Sequence, residues 1–146
     1  MISCDTNVLF AATNPDDACH AAAYDFIACH AEDANFVLAE QVLVELYGLL
    51  RNPAVLKRPL SAAEAVSVIR AYRGNPVWSV VDVPQDGRAM REVWQRAARP
   101  GFARRRIHDL RLALTLKYSG VTEFYTRNVR DFADVGFAKL ENPFDA

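Results

Sequence analysis

Short apolar segments alternate with longer stretches of helical periodicity along the chain. The short segments predict five strands, over 2–5, 36–39, 78–83, 123–126 and 137–140, with polar turn residues after the first strand. Helical periodicity and start or stop signals predict helices over 18–30, 40–50, 62–72, 86–98 and 107–119, and a turn over 128–132. Strands that are short and apolar throughout are typical of parallel sheets covered on both faces. We therefore expect an α/β fold with a parallel sheet between helices.

The composition fits one globular domain. The chain has 146 residues, of which 51% are hydrophobic and 24% charged, and this balance excludes a disordered chain or a small disulfide scaffold. Since no repeat or Gly/Ser-rich linker divides it, we expect residues 1–146 to form a single domain. The sequence shows no leader-like segment and no apolar run near the roughly 20 residues that cross a bilayer. We expect a cytoplasmic protein with no membrane contact.

The net charge of −1 comes from 17 basic and 18 acidic residues. Such a balance predicts no general attraction to a polyanion or to a membrane surface. Of the basic residues, 14 are arginine and 3 are lysine, and arginine is the residue best suited to bidentate contact with phosphate. The positions of the charges along the chain therefore say more about function than their sum.

Two acidic residues stand where burial makes a carboxylate costly. Asp5 directly follows the first apolar segment, and Glu45 interrupts the apolar stripe of the helix over 40–50. A charge at such a position is unfavourable unless a partner or a cation neutralises it. The alternative for Asp5 is an Asx turn or a helix N-cap. The alternative for Glu45 is a side chain that reaches the edge of the stripe or pairs with an arginine.

Two further acidic positions fall in the second half of the chain. Asp109 lies in the first turn of the helix over 107–119, and Asp131 follows the strand over 123–126, three residues after Asn128. Helix capping is the alternative role for both acids. One helical turn would bring Asn128 and Asp131 to the same side, so either side chain could complete a site.

These positions converge on one edge of the expected sheet. Ligands of open parallel sheets bind beyond the carboxyl ends of the strands, where we expect Asp5 and the segment 126–131, with Glu45 and Asp109 facing that edge from helices. Several carboxylates in one cleft repel one another unless a cation neutralises them. Oxygen ligands without histidine or cysteine suit Mg²⁺ or Mn²⁺, and such ions activate water for attack at phosphorus.

A basic loop precedes Asp109. Its candidates for contact with the phosphates of a polyanionic substrate are Arg99, Arg104, Arg105 and Arg106. The alternative is a solvated basic loop without a ligand. Few aromatic residues are interleaved with these arginines, so we expect no platform on which bases would stack.

Four segments resemble the motifs of PIN-domain ribonucleases, in the same order and over almost the whole chain. They run over 2–7, 41–47, 107–113 and 126–132. Their order, and a length filled by one domain, are most similar to the VapC-type toxins of type II toxin–antitoxin systems. The resemblance implies a three-layer PIN-like fold with a central short parallel sheet and helices on both faces. It also implies a Mg²⁺- or Mn²⁺-dependent endoribonuclease toxin that cleaves RNA of the tRNA or rRNA class.

The resemblance further assigns roles to residues and partners. The implied metal ligands and catalytic residues are Asp5, Glu45 and Asp109, completed by Asp131 or Asn128. Asn7 and Thr126 would support these ligands by hydrogen bonding. The implied partners are a second copy of the chain in a homodimer and a cognate antitoxin, which forms a hetero-oligomer with the toxin and neutralises it by inserting a peptide near the active site.

Two other functions are compatible with parts of the sequence. A catalytically inactive PIN-like module that binds RNA or protein would share the fold, and RNA cleavage that EDTA abolishes would exclude it. A phospho-acceptor domain would also place an aspartate after the first strand. Phosphatases of the dehalogenase type, however, have Asp-x-Asp at that point, where this chain has Asp5-Thr6-Asn7. The ribonuclease is therefore the leading hypothesis.

Overall fold

The computed structural model describes residues 1–145, which form five short strands and seven helices. The strands are β1 (Ile2–Cys4), β2 (Val37–Ala39), β3 (Ser79–Val81), β4 (Glu123–Tyr125) and β5 (Lys139–Glu141). The helices are α1 (Thr6–Thr13), α2 (His20–Cys29), α3 (Glu40–Leu50), α4 (Ala62–Arg73), α5 (Arg88–Ala97), α6 (Arg106–Tyr118) and α7 (Val129–Phe132). Within this part of the chain, no helix has the length and apolar character needed to cross a bilayer.

The strand pairs are all parallel, as the sequence predicts. One sheet has the order β1-β4-β5, and β2 pairs with β3. A parallel bridge between Ile2 and Phe36 joins the two parts, and the amide of Ile2 donates to the carbonyl of Asn35 at 2.8 Å. The resulting strand order is β3-β2-β1-β4-β5. The order reverses at β1, and the carboxyl end of a strand at such a switch point is where ligands of open α/β sheets bind.

Buried apolar side chains explain why these segments adopt their structure. All three residues of β2 are buried, and the side chains of Phe36, directly before β2, and of Phe124, in the middle of β4, are fully enclosed. In α6 the residues from Leu112 to Leu116 are all buried, so this helix is enclosed on most of its sides. Removing a large apolar side chain from water stabilises the folded state by about 1.5 to 3 kcal/mol. Burial of α6 therefore holds its first turn, which carries Asp109, firmly against the rest of the domain.

The sequence-based prediction missed one helix. Polar residues after the first strand predict a turn, and this is wrong because α1 begins at Thr6. Asp5 caps the helix by accepting a hydrogen bond from the backbone N–H of Thr6 at 2.7 Å, and Val8 and Leu9 are fully buried. The cap and the burial outweigh the low intrinsic helix propensity of threonine and asparagine. The turn expected over 128–132 is the short helix α7. The other elements begin and end within two residues of their predicted bounds.

Candidate active site

Asp5 lies at the carboxyl end of β1 with both carboxylate oxygens engaged. Its Oδ1 accepts from the backbone N–H of Thr6 at 2.7 Å as the N-cap of α1. Its Oδ2 accepts from the hydroxyl of Thr126 at 2.7 Å and from the side-chain amide of Asn7 at 3.3 Å. Only 7% of the residue is exposed. The capping role therefore holds a buried carboxylate in a fixed orientation at the switch point of the sheet.

Thr126 organises the same edge of the sheet from the end of β4. The parallel register pairs Cys4 with Tyr125. The residues that directly follow the two strands, Asp5 and Thr126, therefore lie side by side. Besides donating to Asp5, the fully buried Thr126 hydroxyl accepts from the backbone N–H of Asn128 at 3.0 Å and from the Asn7 amide at 3.4 Å. Thr126 and Asn7 thus both contact Asp5, and they tie it to the loop that follows β4.

Glu45 and Asp109 reach the same region from two helices. Glu45 projects from the middle of α3, and its Oε2 accepts from the hydroxyl of Thr6 at 2.9 Å. Asp109 lies in the first turn of α6, where the helix dipole favours a negative charge. A single cavity of about 570 Å³ is lined by Asp5, Thr6, Asn7, Glu45, Gly48, Leu49, Asn52, Asp109 and Asn128. The structure therefore brings three of the four acids that the sequence singles out to one cavity.

The pKa values of the acids show that they share one electrostatic environment. Burial raises the pKa of Asp5 from 3.8 to about 6 against the opposing hydrogen bonds of Thr126 and Thr6, and the charges of Asp109 and Glu45 raise it further. Burial also raises the pKa of Asp109, to which the carboxylates of Asp131 and Glu45 add. A cation placed among these groups would stabilise their ionised forms.

Asn128 and Asp131 differ in where they lie. Asn128 is exposed at the rim of the cavity that holds the three acids. Asp131 lines a neighbouring cavity of about 390 Å³, which it shares with Asn128. The charge of Asp131 is nevertheless close enough to raise the pKa of Asp109. Asn128 is therefore the better placed of the two to complete a site with Asp5, Glu45 and Asp109.

The arginines of the basic loop fall into two groups. Arg99, Arg104 and Arg105 are exposed, and none of them forms an ion pair within residues 1–145. Arg106 instead donates to the carbonyl oxygen of Asp131 and to Oδ1 of Asp134, both at 3.2 Å. The guanidinium of Arg106 thus ties α6 to α7, whereas the other three are free to meet a polyanion.

The chemistry of the cavity fits a hard divalent cation. Its polar lining supplies carboxylate, amide and hydroxyl oxygens, which are the ligands of Mg²⁺ and Mn²⁺. In residues 1–145, no group of three His, Cys, Asp or Glu side chains forms a ready metal site by itself. Mg²⁺ is usually held by one or two carboxylates together with water and substrate phosphates, and not by a protein cage. An open cavity of oxygen ligands is the arrangement suited to such an ion.

Two residues of the site have no role predicted from the sequence, although both lie in segments that resemble PIN-domain motifs. Thr6 and Gln41 both donate to the carboxylate of Glu45, from the hydroxyl at 2.9 Å and from the side-chain amide at 3.1 Å. Gln41 stands four residues before Glu45, a spacing that places both on one face of α3. That spacing is readable from the sequence, whereas the contact of Thr6 depends on the packing of α1 against α3.

Known proteins similar to this chain are ribonucleases and toxins. No protein-family model matches the chain. It is 46% identical over 143 residues to Ribonuclease VapC24 from two strains of Mycobacterium tuberculosis, an alignment that covers 98% of this chain and 97% of each relative.

Two solved structures share the fold. VapC20 of Mycobacterium tuberculosis, described as a toxin that cleaves the sarcin–ricin loop, superposes with a TM-score of 0.69 at 23% identity over 94% of this chain and 96% of its own. VapBC2 of Rickettsia felis, solved with a DNA fragment from its promoter, gives a TM-score of 0.61 at 19% identity over 97% and 98%. These superpositions confirm the α/β fold that the sequence predicts.

Proposed function

The chain belongs to the VapC family of PIN-domain ribonuclease toxins, and we propose that it cleaves RNA in the cavity between Asp5, Glu45 and Asp109 with Mg²⁺ or Mn²⁺ as cofactor. The observation that carries this proposal is the convergence of three carboxylates on one cavity at the switch point of the sheet. Asp5 and Asp109 have a pKa that burial raises, and the charge of Glu45 raises both further. Such a cluster of carboxylates is unfavourable in the absence of a neutralising cation. A function that requires a bound cation explains why the chain contains the cluster.

The residues that would hold the ion follow from their position. Asp5 and Asp109 are the direct ligands in our proposal, Glu45 binds directly or through water, and Asn128 completes the set with Asp131 as the alternative. A bound ion of this type lowers the pKa of water and stabilises charge on the phosphate that is attacked. Thr126 and Asn7 keep the Asp5 carboxylate in one orientation through hydrogen bonds, which is the support that ligands of metal sites generally require.

The exposed arginines would hold the substrate. Arg99, Arg104 and Arg105 lie in the loop that leads into α6, and Asp109 lies in the first turn of that helix. Contacts from arginine to backbone phosphates position a nucleic acid without reading its bases. Arg106 is a weaker candidate because Asp134 and the Asp131 carbonyl already occupy its guanidinium.

The substrate and the partners can be specified further. We propose a folded RNA of the tRNA or rRNA class, which is supported by the likeness to VapC20, a toxin that cleaves the sarcin–ricin loop. A cognate antitoxin is supported by the likeness to VapBC2, a complex solved with promoter DNA. We further propose that the chain forms a homodimer and that the antitoxin assembles on it as a toxin–antitoxin hetero-oligomer.

Mapping of cleavage products tests this proposal. The purified chain would be incubated with total RNA in Mg²⁺, in Mn²⁺ and in EDTA, and the new 5′ and 3′ ends would be sequenced. We expect cuts at few positions in tRNA or rRNA in either metal and none in EDTA. Cuts confined to messenger RNA would contradict the substrate class. Binding of RNA without cleavage in either metal would favour the inactive RNA-binding module instead.

A further inference from the structure

Gln41 connects the two helices that carry Glu45 and Asp109. From the first turn of α3, its Nε2 donates to Oε1 of Glu45 at 3.1 Å and to the backbone carbonyl of His108 at 2.9 Å. Its Oε1 accepts from Nη1 of Arg111 at 2.7 Å. His108 immediately precedes Asp109, so this one side chain touches a candidate metal ligand on α3 and the residue next to another on α6.

We propose that Gln41 is a positioning residue that holds the Glu45 carboxylate at a fixed place relative to the first turn of α6, and thereby sets the arrangement of the acids that bind the metal ion. The inference rests on the proposed metal-dependent cleavage. It adds to the site a neutral side chain that would not touch the metal or the RNA.

Arg111 determines which way the Gln41 amide points. The guanidinium of Arg111 has only donors, and the His108 carbonyl and the Glu45 carboxylate have only acceptors at these positions. The observed orientation satisfies all three hydrogen bonds. Reversing the amide would set a donor against a donor and an acceptor against two acceptors, so none of the three hydrogen bonds could form. Arg111 therefore selects the orientation in which Gln41 donates to Glu45.

The Glu45 carboxylate is held from both sides. Gln41 donates to Oε1, and the hydroxyl of Thr6 donates to Oε2 at 2.9 Å. The two donors come from different helices, and together they restrict rotation of the Glu45 side chain. A free glutamate side chain would lose much rotamer entropy when it is ordered by an ion. Each carboxylate oxygen has a second lone-pair direction available for an ion or for water. Pre-ordering the carboxylate lowers the cost of binding a cation.

The test is a double-mutant cycle between Gln41 and Glu45, read by calorimetric titration of Mn²⁺ in the absence of RNA. The variants are Gln41→Met, Glu45→Gln and the double variant, with Gln41→Ala as a second replacement that suits a helix. The exposed Gln95 of α5 offers a matched control, Gln95→Met. Thermal unfolding of every variant identifies any general loss of folding.

If Gln41 acts through Glu45, Gln41→Met weakens Mn²⁺ binding about 10-fold, as removal of a supporting hydrogen bond does at other metal sites. RNA cleavage then shows a lower kcat with little change in KM, and Gln95→Met leaves both measurements unchanged. In the Glu45→Gln background, Gln41→Met changes the Mn²⁺ affinity by less than about 2-fold, which is the scatter seen even between independent sites. The two substitutions are then not additive, as expected if Gln41 acts through Glu45.

Three results would overturn the inference. Wild-type Mn²⁺ affinity in both Gln41→Met and Gln41→Ala would show that Gln41 does not position Glu45. An equal decrease in affinity from Gln41→Met with and without Glu45 would assign it a general structural role. Failure of the wild-type chain itself to bind Mn²⁺ would overturn the proposed metal site, and with it the role of Gln41. The first two results leave the proposed metal site standing, so the two failures are distinguishable.

Discussion

The hydroxyl of Thr6 donates a hydrogen bond to Oε2 of Glu45 at 2.9 Å. The two residues lie 39 positions apart in the chain, and their hydrogen bond joins the start of α1 to the middle of α3. Since the backbone N–H of Thr6 also donates to Asp5 at 2.7 Å, one residue contacts two carboxylates of the candidate site. Thr6 thereby couples the switch point of the sheet to the helix that carries the second acid.

Replacing Thr6 by valine tests this hydrogen bond. Valine keeps the shape of the side chain and the backbone donor to Asp5 but removes the hydroxyl, so Glu45 loses one of its two donors. We expect a fall in kcat of about 10-fold, partly restored by Thr6→Ser, with little change in melting temperature. The exposed Thr122 provides the control Thr122→Val. Full activity of Thr6→Val would show that the hydroxyl does not support the site.

Asp5→Asn is expected to abolish cleavage and to remove a pH dependence of stability that arises from the buried Asp5 carboxyl group. Burial raises the pKa of Asp5 to about 6, so the folded state binds a proton more tightly than the unfolded state does. The wild-type free energy of unfolding therefore falls as the pH rises from about 4 through 6, by an amount on the order of 2 to 3 kcal/mol. Above that range, ionisation of Asp5 no longer changes the free energy of unfolding.

The measurement is urea unfolding of both proteins in EDTA between pH 4 and 8. Because groups remote from Asp5 titrate equally in the two proteins, the difference between the curves reports Asp5 together with the carboxylates of Asp109 and Glu45 that are coupled to it. We expect the stability of Asp5→Asn relative to the wild type to increase as the pH rises to about 6. Curves that stay parallel throughout would contradict a raised pKa at Asp5.

Local signals in the sequence predict the strands, the helix over 40–50 and the positions of the acids. Asp5 and Glu45 stand out because the first ends an apolar segment and the second interrupts one. Asp109 stands out by its place in the first turn of a predicted helix, and all three positions are visible without a structure. The Asp5 cap of α1 is a local interaction, but a cap alone does not distinguish a helix from a turn. The helix α1 escapes prediction because its stability depends on the burial of Val8 and Leu9, which is a tertiary effect. The partners of Arg106 escape for the same reason, since Asp134 lies 28 positions away in the chain.

Asn128 and Asp131 can be separated by their effect on metal binding. Asn128 lines the cavity of the three acids, whereas Asp131 lines the neighbouring one. We therefore expect Asn128→Ala to weaken calorimetric Mn²⁺ binding more than Asp131→Ala does. Removal of the charge at Asp131 should also lower the pKa of Asp109, because Asp131 is one of the groups that raise it. A larger decrease of Mn²⁺ affinity in Asp131→Ala would make Asp131 the fourth ligand.

The exposed loop arginines should act on binding and not on chemistry. Replacing Arg104 and Arg105 together by alanine removes two cations that form no ion pair within residues 1–145. We expect weaker RNA binding at unchanged kcat. The plot of the logarithm of the binding constant against the logarithm of the salt concentration should become less steep, by about 0.7 to 0.9 for each phosphate that is no longer neutralised. The exposed Arg70 of α4 gives the control Arg70→Ala. An unchanged salt slope in the double variant would assign these arginines to a solvated loop.

The most direct test of metal-dependent cleavage at the acidic cavity is the single-turnover rate on one defined RNA substrate. The wild type, Asp109→Asn and the control Asp25→Asn, which alters an exposed acid of α2, would be compared in EDTA and after Mg²⁺ is restored. We expect the wild type and Asp25→Asn to cleave only with Mg²⁺, and Asp109→Asn to lose cleavage while keeping its fold. Wild-type rates in Asp109→Asn, or cleavage that persists in EDTA, would contradict metal-dependent cleavage at this cavity.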